Sequence, residues 1–260
     1  NRKMINGTTP NHYCAFASCD PIYLRDHAAA LTASCAVNDQ PLHLHVVNPF
    51  KKDLALLESL REASLKIAGK AAPLTYTWEE VDLSKLNKAQ KRVYYSLNRF
   101  LAWNKIIDME PTERIGESKV RAALIIDIDC LVMQKLPGFS EDIGLFIREP
   151  FNNGNPWETL GSNVAAGVVY INTSERSKNY IREVAEDLET RDLRWFTDQV
   201  VLWERYNRAM HNTSCRIFGP EFMDWEFIEN TTIWTGKGPR KYNNPVYVGK
   251  KEEFAELLEM

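Results

Sequence analysis

The stretch VRAALIIDIDCLVM, residues 120–133, is the most informative part of this chain. An apolar run at 122–126 leads into Asp127 and Asp129, and a second apolar run at 131–133 follows. On an extended backbone, residues two positions apart point to the same side, so both carboxylates are expected to face one site at the end of a buried strand. Two such charges repel unless a cation or a proton compensates them.

A hard divalent cation is the usual compensation, because it prefers oxygen ligands. The stretch therefore predicts a metal site that in turn holds phosphate. The alternative is a turn that carries two solvated aspartates. We favour the metal site because apolar sequence flanks the two aspartates on both sides.

The composition is that of an ordinary globular protein. The chain has 260 residues, of which 44% are hydrophobic and 26% charged, and its formal net charge is −3. A length of this size suits one large α/β domain or two lobes that share a sheet. The slightly acidic balance gives no sign of a surface that binds nucleic acid.

Neither the cysteines nor the paired histidines indicate a metal site. The five cysteines are scattered without a C-x-x-C motif, and four have the apolar or small neighbours of reduced core cysteines. His43 and His45 alternate within LHLHVV, which predicts one face of a strand rather than a ligand pair.

The location of the protein has to be inferred from what the sequence lacks. We find no signal peptide and no apolar run long enough to cross a bilayer, and expect a cytoplasmic protein, soluble or peripheral to a membrane. The helix-like end EEFAELLEM, residues 252–260, suggests a piece of a longer protein.

The first half of the chain alternates strands with helices. The apolar patterns predict strands at 12–19, 42–48 and 75–81, and helices at 21–37, 53–68 and 87–108. Such alternation implies a mostly parallel sheet covered on both faces. Ligands bind such sheets at the carboxyl ends of the strands, so Asp20 and Asp127 are expected to share one crevice.

The second half is less regular. We predict strands at 144–149 and 164–172, a loop at 152–162, and helices at 174–190, at 197–209 and at the end of the chain. Gly167 inside a strand often marks close approach of a ligand or another backbone. Thr197 or Asp198 begins the helix at 197–209, where Thr and Asp serve as N-caps, so capping is the alternative to a functional role for Asp198.

Several motifs occur in an order that resembles the GT-A-fold glycosyltransferases. ASCDPIY follows the first strand, YYSLNRFLAW precedes IIDIDCLVM, and VAAGVVYIN, FTDQVVL and TIWTGKGPRK follow. The resemblance is strongest to the retaining family that contains glycogenin and the lipopolysaccharide galactosyltransferases. It implies one GT-A domain over 1–260, with a Rossmann-like, mostly parallel sheet. Residues 1–133 would bind nucleotide, and a less regular lobe at 134–260 would bind sugar and acceptor.

The resemblance also implies roles for individual residues. Asp127 and Asp129 would hold Mn²⁺ or Mg²⁺ on the diphosphate of a nucleotide sugar, for which we expect a UDP-sugar. Ser18 and Asp20 would meet the base or the ribose. Arg99 would contact donor sugar and phosphate, for which a guanidinium fork is well suited. For Arg99, a solvated charge on a helix face is an equally weighted alternative.

The remaining implied residues lie in the second half. In the family, the counterpart of Asp198 holds sugar hydroxyls, and that of Gln199 lies near the reacting carbon. Lys237 and Lys241 fall in the closing loop, where the family places a lysine on the diphosphate. Gly167 would lie close to the donor. The acceptor would be a glycan, a lipid-linked group or a protein.

Two positions depart from the family pattern. Ala165 stands where the family carries an asparagine near the sugar. Ile233 stands where many members carry a histidine as third metal ligand. With only two carboxylates, a metal should bind weakly and depend on the substrate diphosphate for further ligands. The resemblance implies transfer with retention, but these departures and the lack of a carboxylate that stands out as a general base leave inversion open.

Two other functions compete with glycosyl transfer. A haloacid-dehalogenase-like phosphatase also places D-x-D after an apolar strand, with the first aspartate as nucleophile. That family expects Gly-Thr directly afterwards, whereas this chain has Cys130 and Leu131. The other alternative is a catalytically silent GT-A-like module that binds a partner or a glycan.

Overall fold

The computed structural model describes residues 4–71, 73–109, 121–148 and 163–259. The loop predicted at 152–162 lies outside the described residues. The predicted strand at 144–149 is described up to residue 148.

A large mixed sheet forms the centre of the described structure. The strands are β1 (Asn6–Gly7), β2 (Cys14–Cys19), β3 (Leu42–Val47), β4 (Leu74–Glu79), β5 (Ala123–Ile126), β6 (Cys130–Val132), β7 (Ile143–Ile147), β8 (Val164–Ile171), β9 (Cys215–Ile217) and β10 (Ile233–Thr235). Eight of them form one sheet in the order β1-β4-β3-β2-β5-β8-β7-β9. Neighbours β4, β3, β2 and β5 run parallel, and β8 is antiparallel to both β5 and β7. The predicted α/β class with a mostly parallel central sheet is thereby confirmed.

The helices begin and end close to the predicted positions. They are α1 (Pro21–Val37), α2 (Lys51–Ala68), α3 (Lys88–Ile106), α4 (Glu175–Thr190), α5 (Thr197–Ala209), α6 (Arg240–Asn243) and α7 (Pro245–Glu256). Local capping accounts for several starts: Asp20 accepts from the backbone N–H of Tyr23, and Asn87 caps α3 in the same way. None of the described helices has the length and hydrophobicity to cross a bilayer.

Alternating side chains of the central strands pack into two separate cores. Ala15, Ala17 and Leu124 pack with α1 and α2, whereas Phe16 and Ile125 pack with α3, α4 and α5. The strands are buried on both sides, which is why their sequences are almost continuously apolar.

The strand order changes direction between β2 and β5. From β2 the chain continues outward to β3 and β4, whereas β5 pairs with the other side of β2. Such a switch point leaves a crevice at the carboxyl ends of the two strands. Asp20 follows β2 and Asp127 follows β5, so both lie at this crevice.

A second, two-stranded sheet extends the molecule beside the crevice. β6 pairs antiparallel with β10, with Cys130 opposite Thr235. Helix α7 packs against α1 through Phe254, Ala30 and Ala33. The last part of the chain thereby returns to the end of the acidic stretch at 127–129.

His43 and His45 lie in strand β3, as the alternation predicted, and the structure places them in a buried polar network. Both are fully buried, and each contacts the hydroxyl of Thr77 at 2.9 Å. His45 also reaches Glu79, which forms an ion pair with Lys105 at 2.8 Å. Burial lowers the pKa of each histidine, so both are neutral in the folded state.

This burial predicts an acid-sensitive fold. As the pH falls below about 6.5, the unfolded chain takes up protons on His43 that the folded chain does not bind. We expect the free energy of unfolding to fall by up to about 1.4 kcal/mol per pH unit for this histidine. Urea denaturation at several pH values between 7.5 and 5 would measure the slope.

The substitution His43→Gln keeps polar atoms in the network and removes the titration, so its slope should be shallower. His211→Gln is the matched control, because His211 is exposed. Equal slopes for wild type and His43→Gln would refute this account.

Candidate functional site

The crevice at the switch point opens into a cavity of about 260 Å³. Every residue that the sequence analysis placed in the donor, metal or catalytic site contributes to its wall: Ser18, Asp20, Arg99, Asp127, Asp129, Gly167, Asp198, Gln199, Lys237 and Lys241. The structure thus brings together residues from distant parts of the chain. Their roles toward a ligand remain predictions.

The two aspartates of the acidic stretch lie on a turn, not on an extended strand. β5 ends at Ile126, and the N–H of Cys130 donates to the carbonyl of Asp127 over 3.1 Å. The two carboxylates do line one cavity at the end of a buried strand, as predicted, but a turn places them there and the predicted extended backbone was wrong. The physical reason is that the chain leaves the large sheet here to pair β6 with β10. The aspartates are nevertheless not simply solvated, because each meets a cation.

Arg99 is the cation beside Asp127. It comes from α3, its exposed fraction is only 5%, and its guanidinium bonds Asp127 and, over 3.3 Å, Asp198. The guanidinium also lies 5.0 Å from the ring centre of Phe100. Burial lowers the pKa of Arg99, and the negative charges of Asp198 and Asp129 partly oppose that effect. The alternative of a solvated charge on the helix face is therefore wrong.

Asp198 does not cap α5. The residue before the helix is Phe196, and its side chain makes no capping bond. The Thr197 hydroxyl instead donates to the Arg194 carbonyl over 2.8 Å. Asp198 uses one oxygen to accept from the N–H of Gln199 and the other to bond Arg99. The alternative of a capping role for Asp198 is thus wrong, and the carboxylate belongs to the cavity.

The backbone at Phe196 explains how α5 presents this carboxylate. Phe196 has φ 72° and ψ 8°, a left-handed conformation that side chains with a Cβ rarely adopt. The chain turns sharply there, and Asp198 and Gln199 then lie in the first helical turn facing the cavity.

Arg148 is a cavity residue that the sequence analysis missed. It follows β7, next to a register shift between Leu145 and Phe146 that redirects the strand. Its Nη1 donates to the side-chain oxygen of Gln199 over 3.0 Å and to the carbonyl of Val164 over 3.2 Å. Since a guanidinium only donates, the oxygen of the Gln199 amide must face Arg148. The signal was present: an arginine directly after an apolar strand.

Lys241 is the cation beside Asp129. Its Nζ lies 2.8 Å from Asp129 Oδ2, and the two side chains are 11% and 9% exposed. Burial lowers the pKa of Lys241, but the attraction of Asp129 outweighs it and the pKa is raised. The Asp129 carbonyl also accepts from the Tyr247 hydroxyl and from the N–H of Gly236. The segment at 236–241, which follows β10 and is called the closing segment below, is thus bonded directly to the turn at 127–129.

Lys237 lies on the same segment in a different environment. Its Nζ lies 4.6 Å from the ring centre of Trp225, a cation–π contact. Burial, together with the nearby positive charges of Arg148 and Arg240, lowers the pKa of Lys237 to about 8. This lysine therefore changes charge just above neutral pH.

Gly167 allows close packing at the floor of the cavity. A Cβ at this position would lie 2.8 Å from Met223 Cε and 3.3 Å from Asp127 Oδ2. The predicted close approach is therefore made by side chains of the protein itself. A larger residue would push against the acidic turn.

The end of β2 supplies the last predicted residues. Asp20 caps α1, and its carboxylate accepts from the N–H of Tyr23 over 2.8 Å. Ser18 is 8% exposed, and its hydroxyl has no hydrogen-bond partner among the described residues. A buried hydroxyl in a cavity wall without a partner is suited to a ligand.

The two aspartates suit a divalent cation only in part. Their oxygen atoms are the right donors for Mn²⁺ or Mg²⁺. Within the described ranges, no group of three His, Cys, Asp or Glu side chains is placed to hold a metal. Ile233 is fully buried in the core, so the position of the family histidine offers no ligand. The donor set fits a cation that shares its ligands with a substrate phosphate.

Comparison with known proteins identifies the fold. Neither a protein-family profile nor a curated protein matches the sequence. Among solved structures, the galactosyltransferase LgtC in complex with donor and acceptor sugar analogues superposes with a TM-score of 0.56 at 15% identity, covering 94% of this chain and 95% of LgtC.

Two further glycosyltransferases share the architecture. GlyE of Streptococcus pneumoniae TIGR4 has a TM-score of 0.56 at 13% identity over 96% of this chain and 62% of GlyE. The bifunctional WbbM has a TM-score of 0.52 at 12% identity over 95% of this chain and 52% of WbbM. The chain therefore has the GT-A fold, as the motif order predicted.

The pairing of Lys241 with Asp129 gives a test of the site's electrostatics. Lys241→Met leaves a mostly buried carboxylate without its cation, so we expect a loss of about 1–3 kcal/mol of unfolding free energy. Urea denaturation measures it. Combining this change with Asp129→Asn removes both charges and should restore part of the loss, because contacting residues couple.

Lys250→Met is the control, since Lys250 pairs with Glu253 on the surface. Strictly additive effects of the two changes would show that the pair contributes nothing as a pair.

Proposed function

We propose that this protein is a glycosyltransferase that moves a sugar from a nucleoside diphosphate sugar to an acceptor hydroxyl. The observation that carries the proposal is the convergence of an acidic turn, buried cations and the Asp198–Gln199 pair on one cavity of a GT-A fold. A fold alone hosts many functions, so the argument depends on these side chains.

The charges of the cavity support an anionic donor. Arg99 offers a fork suited to phosphate oxygens, and Lys237 and Lys241 lie on the segment that closes the cavity. Ser18 and Asp20 at the end of β2 are available for the nucleoside. We take the donor to be a UDP-sugar, as in the family that the motifs resemble.

We further propose that Asp127 and Asp129 hold Mn²⁺ or Mg²⁺ when the donor is bound. When present, such a cation acts as a Lewis acid that stabilises the charge gained by the leaving diphosphate. With two protein ligands, affinity for the cation should depend on the donor's phosphate oxygens. Without the cation, the positive charge of Lys241 compensates the negative charge of Asp129.

The proposed reaction replaces one bond at the anomeric carbon. The bond to the diphosphate oxygen breaks, the acceptor hydroxyl oxygen forms the new bond, and the hydroxyl proton passes to the departing diphosphate. Asp198 and Gln199 orient the sugar. We propose retention, because each carboxylate on the described wall is engaged: Asp20 caps a helix, Asp127 and Asp198 meet Arg99, and Asp129 meets Lys241. None is placed as a general base.

A glycosyltransferase needs an acceptor, whereas a catalytically silent module does not. We propose a glycan, lipid-linked or protein hydroxyl as acceptor.

The substitutions at Ala165 and Ile233 favour a second candidate, a GT-A-like module that binds a sugar nucleotide or glycan without transfer. A phosphatase is disfavoured, because its nucleophile would be Asp127, which is bonded to Arg99.

The decisive experiment combines binding with turnover. A thermal-shift screen of UDP, GDP, ADP and CMP, with and without Mn²⁺, detects binding because a ligand of the native state raises its apparent stability. Donor hydrolysis and transfer of labelled sugar are then measured with the UDP-sugars. Stabilisation without turnover would favour the silent module, and no stabilisation by any nucleotide would refute the proposal.

The acidic turn gives the first prediction for this function. Asp127→Asn and Asp129→Asn keep the volume and remove one charge each. We expect sugar transfer to fall by at least about a hundredfold, since a hard cation needs charged oxygen ligands. Full transfer by either variant in EDTA would exclude the proposed metal role.

Arg99 gives the second prediction. Arg99→Lys keeps the positive charge but loses the planar fork that reaches Asp127 and Asp198 together. We expect weaker UDP-sugar binding by isothermal titration calorimetry, on the order of tenfold. Arg92→Lys, an arginine of the same helix and cavity wall without a carboxylate bond in the described residues, is the control for a general charge effect.

Lys237 gives the third prediction. Its pKa is lowered to about 8, and an anionic diphosphate binds the protonated form better, so UDP affinity should fall as the pH rises through 8. Lys237→Met should bind UDP more weakly at pH 7 and lose this dependence. Lys250→Met should retain it. A wild-type affinity that stays constant from pH 7 to 9 would contradict the assignment.

A further inference from the structure

Trp195 differs from the other tryptophans of the described residues. Its exposed fraction is 59%, whereas the other five are buried or only partly exposed. It lies on the rim of the cavity, three residues before Asp198. Leaving a large apolar ring in water forgoes hydrophobic stabilisation of roughly 2 kcal/mol. Among the described tryptophans, only Trp195 is exposed, and it lies at the mouth of a cavity with several charged side chains, where its ring can contact a ligand.

The segment that carries Trp195 is fixed rather than loose. The Thr197 hydroxyl donates toward the carbonyls of Arg194 at 2.8 Å and Asp192 at 3.1 Å. The next residue, Phe196, adopts the left-handed conformation, which costs of order 1–3 kcal/mol for a residue with a side chain. The rings of Trp195 and Phe196 meet edge to face at 5.7 Å. The indole is thus held outward by a strained and braced turn.

The neighbours of Trp195 indicate which ligand it meets. Asp198 and Gln199, the residues proposed to orient the donor sugar, begin the helix that follows. The lysines proposed to meet phosphate, Lys237 and Lys241, come instead from the segment after β10. Trp195, Asp198 and Gln199 line the same cavity, so a group in contact with the indole can also reach the residues proposed to orient the donor sugar.

We propose that Trp195 is the platform on which a pyranose ring of the acceptor stacks, so that the acceptor is a saccharide. A pyranose has a face of C–H groups that packs on an aromatic ring through dispersion, and a hydroxylated edge that bonds polar groups. The flat indole beside Asp198 and Gln199 offers both kinds of contact. This inference rests on the proposed glycosyl transfer and narrows its acceptor.

The test separates acceptor binding from donor binding. Wild type, Trp195→Phe and Trp195→Ala are compared, with Phe50→Ala as control because Phe50 is another exposed aromatic, at 63%. The donors are UDP-glucose and UDP-galactose, and the acceptors are lactose, maltose, cellobiose and chitobiose. Measured are UDP affinity by calorimetry, donor hydrolysis, and the KM and kcat of transfer to each saccharide.

We expect Trp195→Ala to raise the KM for the saccharide on the order of tenfold, with UDP affinity and donor hydrolysis unchanged. Trp195→Phe, which keeps a smaller aromatic face, should fall between, and Phe50→Ala should match wild type. Saccharide added to the UDP-loaded protein should also change tryptophan fluorescence in wild type and not in Trp195→Phe.

Other outcomes overturn the proposal in distinguishable ways. An unchanged saccharide KM in Trp195→Ala removes the platform, and weaker UDP binding would place Trp195 against the nucleotide. Donor hydrolysis without transfer to any of the four saccharides counts against a saccharide acceptor. Absence of both UDP binding and hydrolysis in wild type refutes the proposed function itself.

Discussion

The buried guanidinium of Arg99 is the contact on which the cavity depends. It joins three parts of the chain that are far apart in sequence: α3, the turn after β5, and the first turn of α5. Removing a guanidinium from water is expensive, and the cost is offset only when its partners are charged and well placed. Because Asp127 and Asp198 share this partner, neither carboxylate is positioned independently. The acidic turn and the proposed sugar-binding residues therefore form one mechanical and electrostatic unit.

The charge balance of the cavity follows from this pairing. Among the described residues of its wall, five are cationic (Arg92, Arg99, Arg148, Lys237 and Lys241) and four are aspartates (Asp20, Asp127, Asp129 and Asp198). Most of the negative charge is thus compensated inside the protein, and the lining as a whole favours an anionic ligand. Lys237, with a pKa lowered to about 8, is the cation whose charge is most readily altered by a bound phosphate.

Local signals in the sequence determined what could be predicted. Pro21 after Asp20 located the start of α1, and apolar strands buried on both faces located β2, β3, β5 and β8. The turn at 127–129 was mistaken for a strand because its apolar flanks belong to two different sheets, which only the pairing of β6 with β10 reveals. The Arg148–Gln199 and Lys241–Asp129 contacts join residues 51 and 112 positions apart, and no local pattern encodes such distances.

The departure at Ile233 links the fold to the proposed chemistry. Its side chain is fully buried, so this position of β10 serves the core rather than the cavity. On the proposed function, the cation then depends on two aspartates and on the donor's own phosphates. Asp129 already has a partner in Lys241, from the segment that also carries Lys237. Cation and donor should therefore bind together, and the closing lysines should respond to their arrival. On the proposed function, the lack of a ligand at Ile233 weakens the cation site, and the pairing of Lys241 with Asp129 ties that site to the segment that carries both lysines.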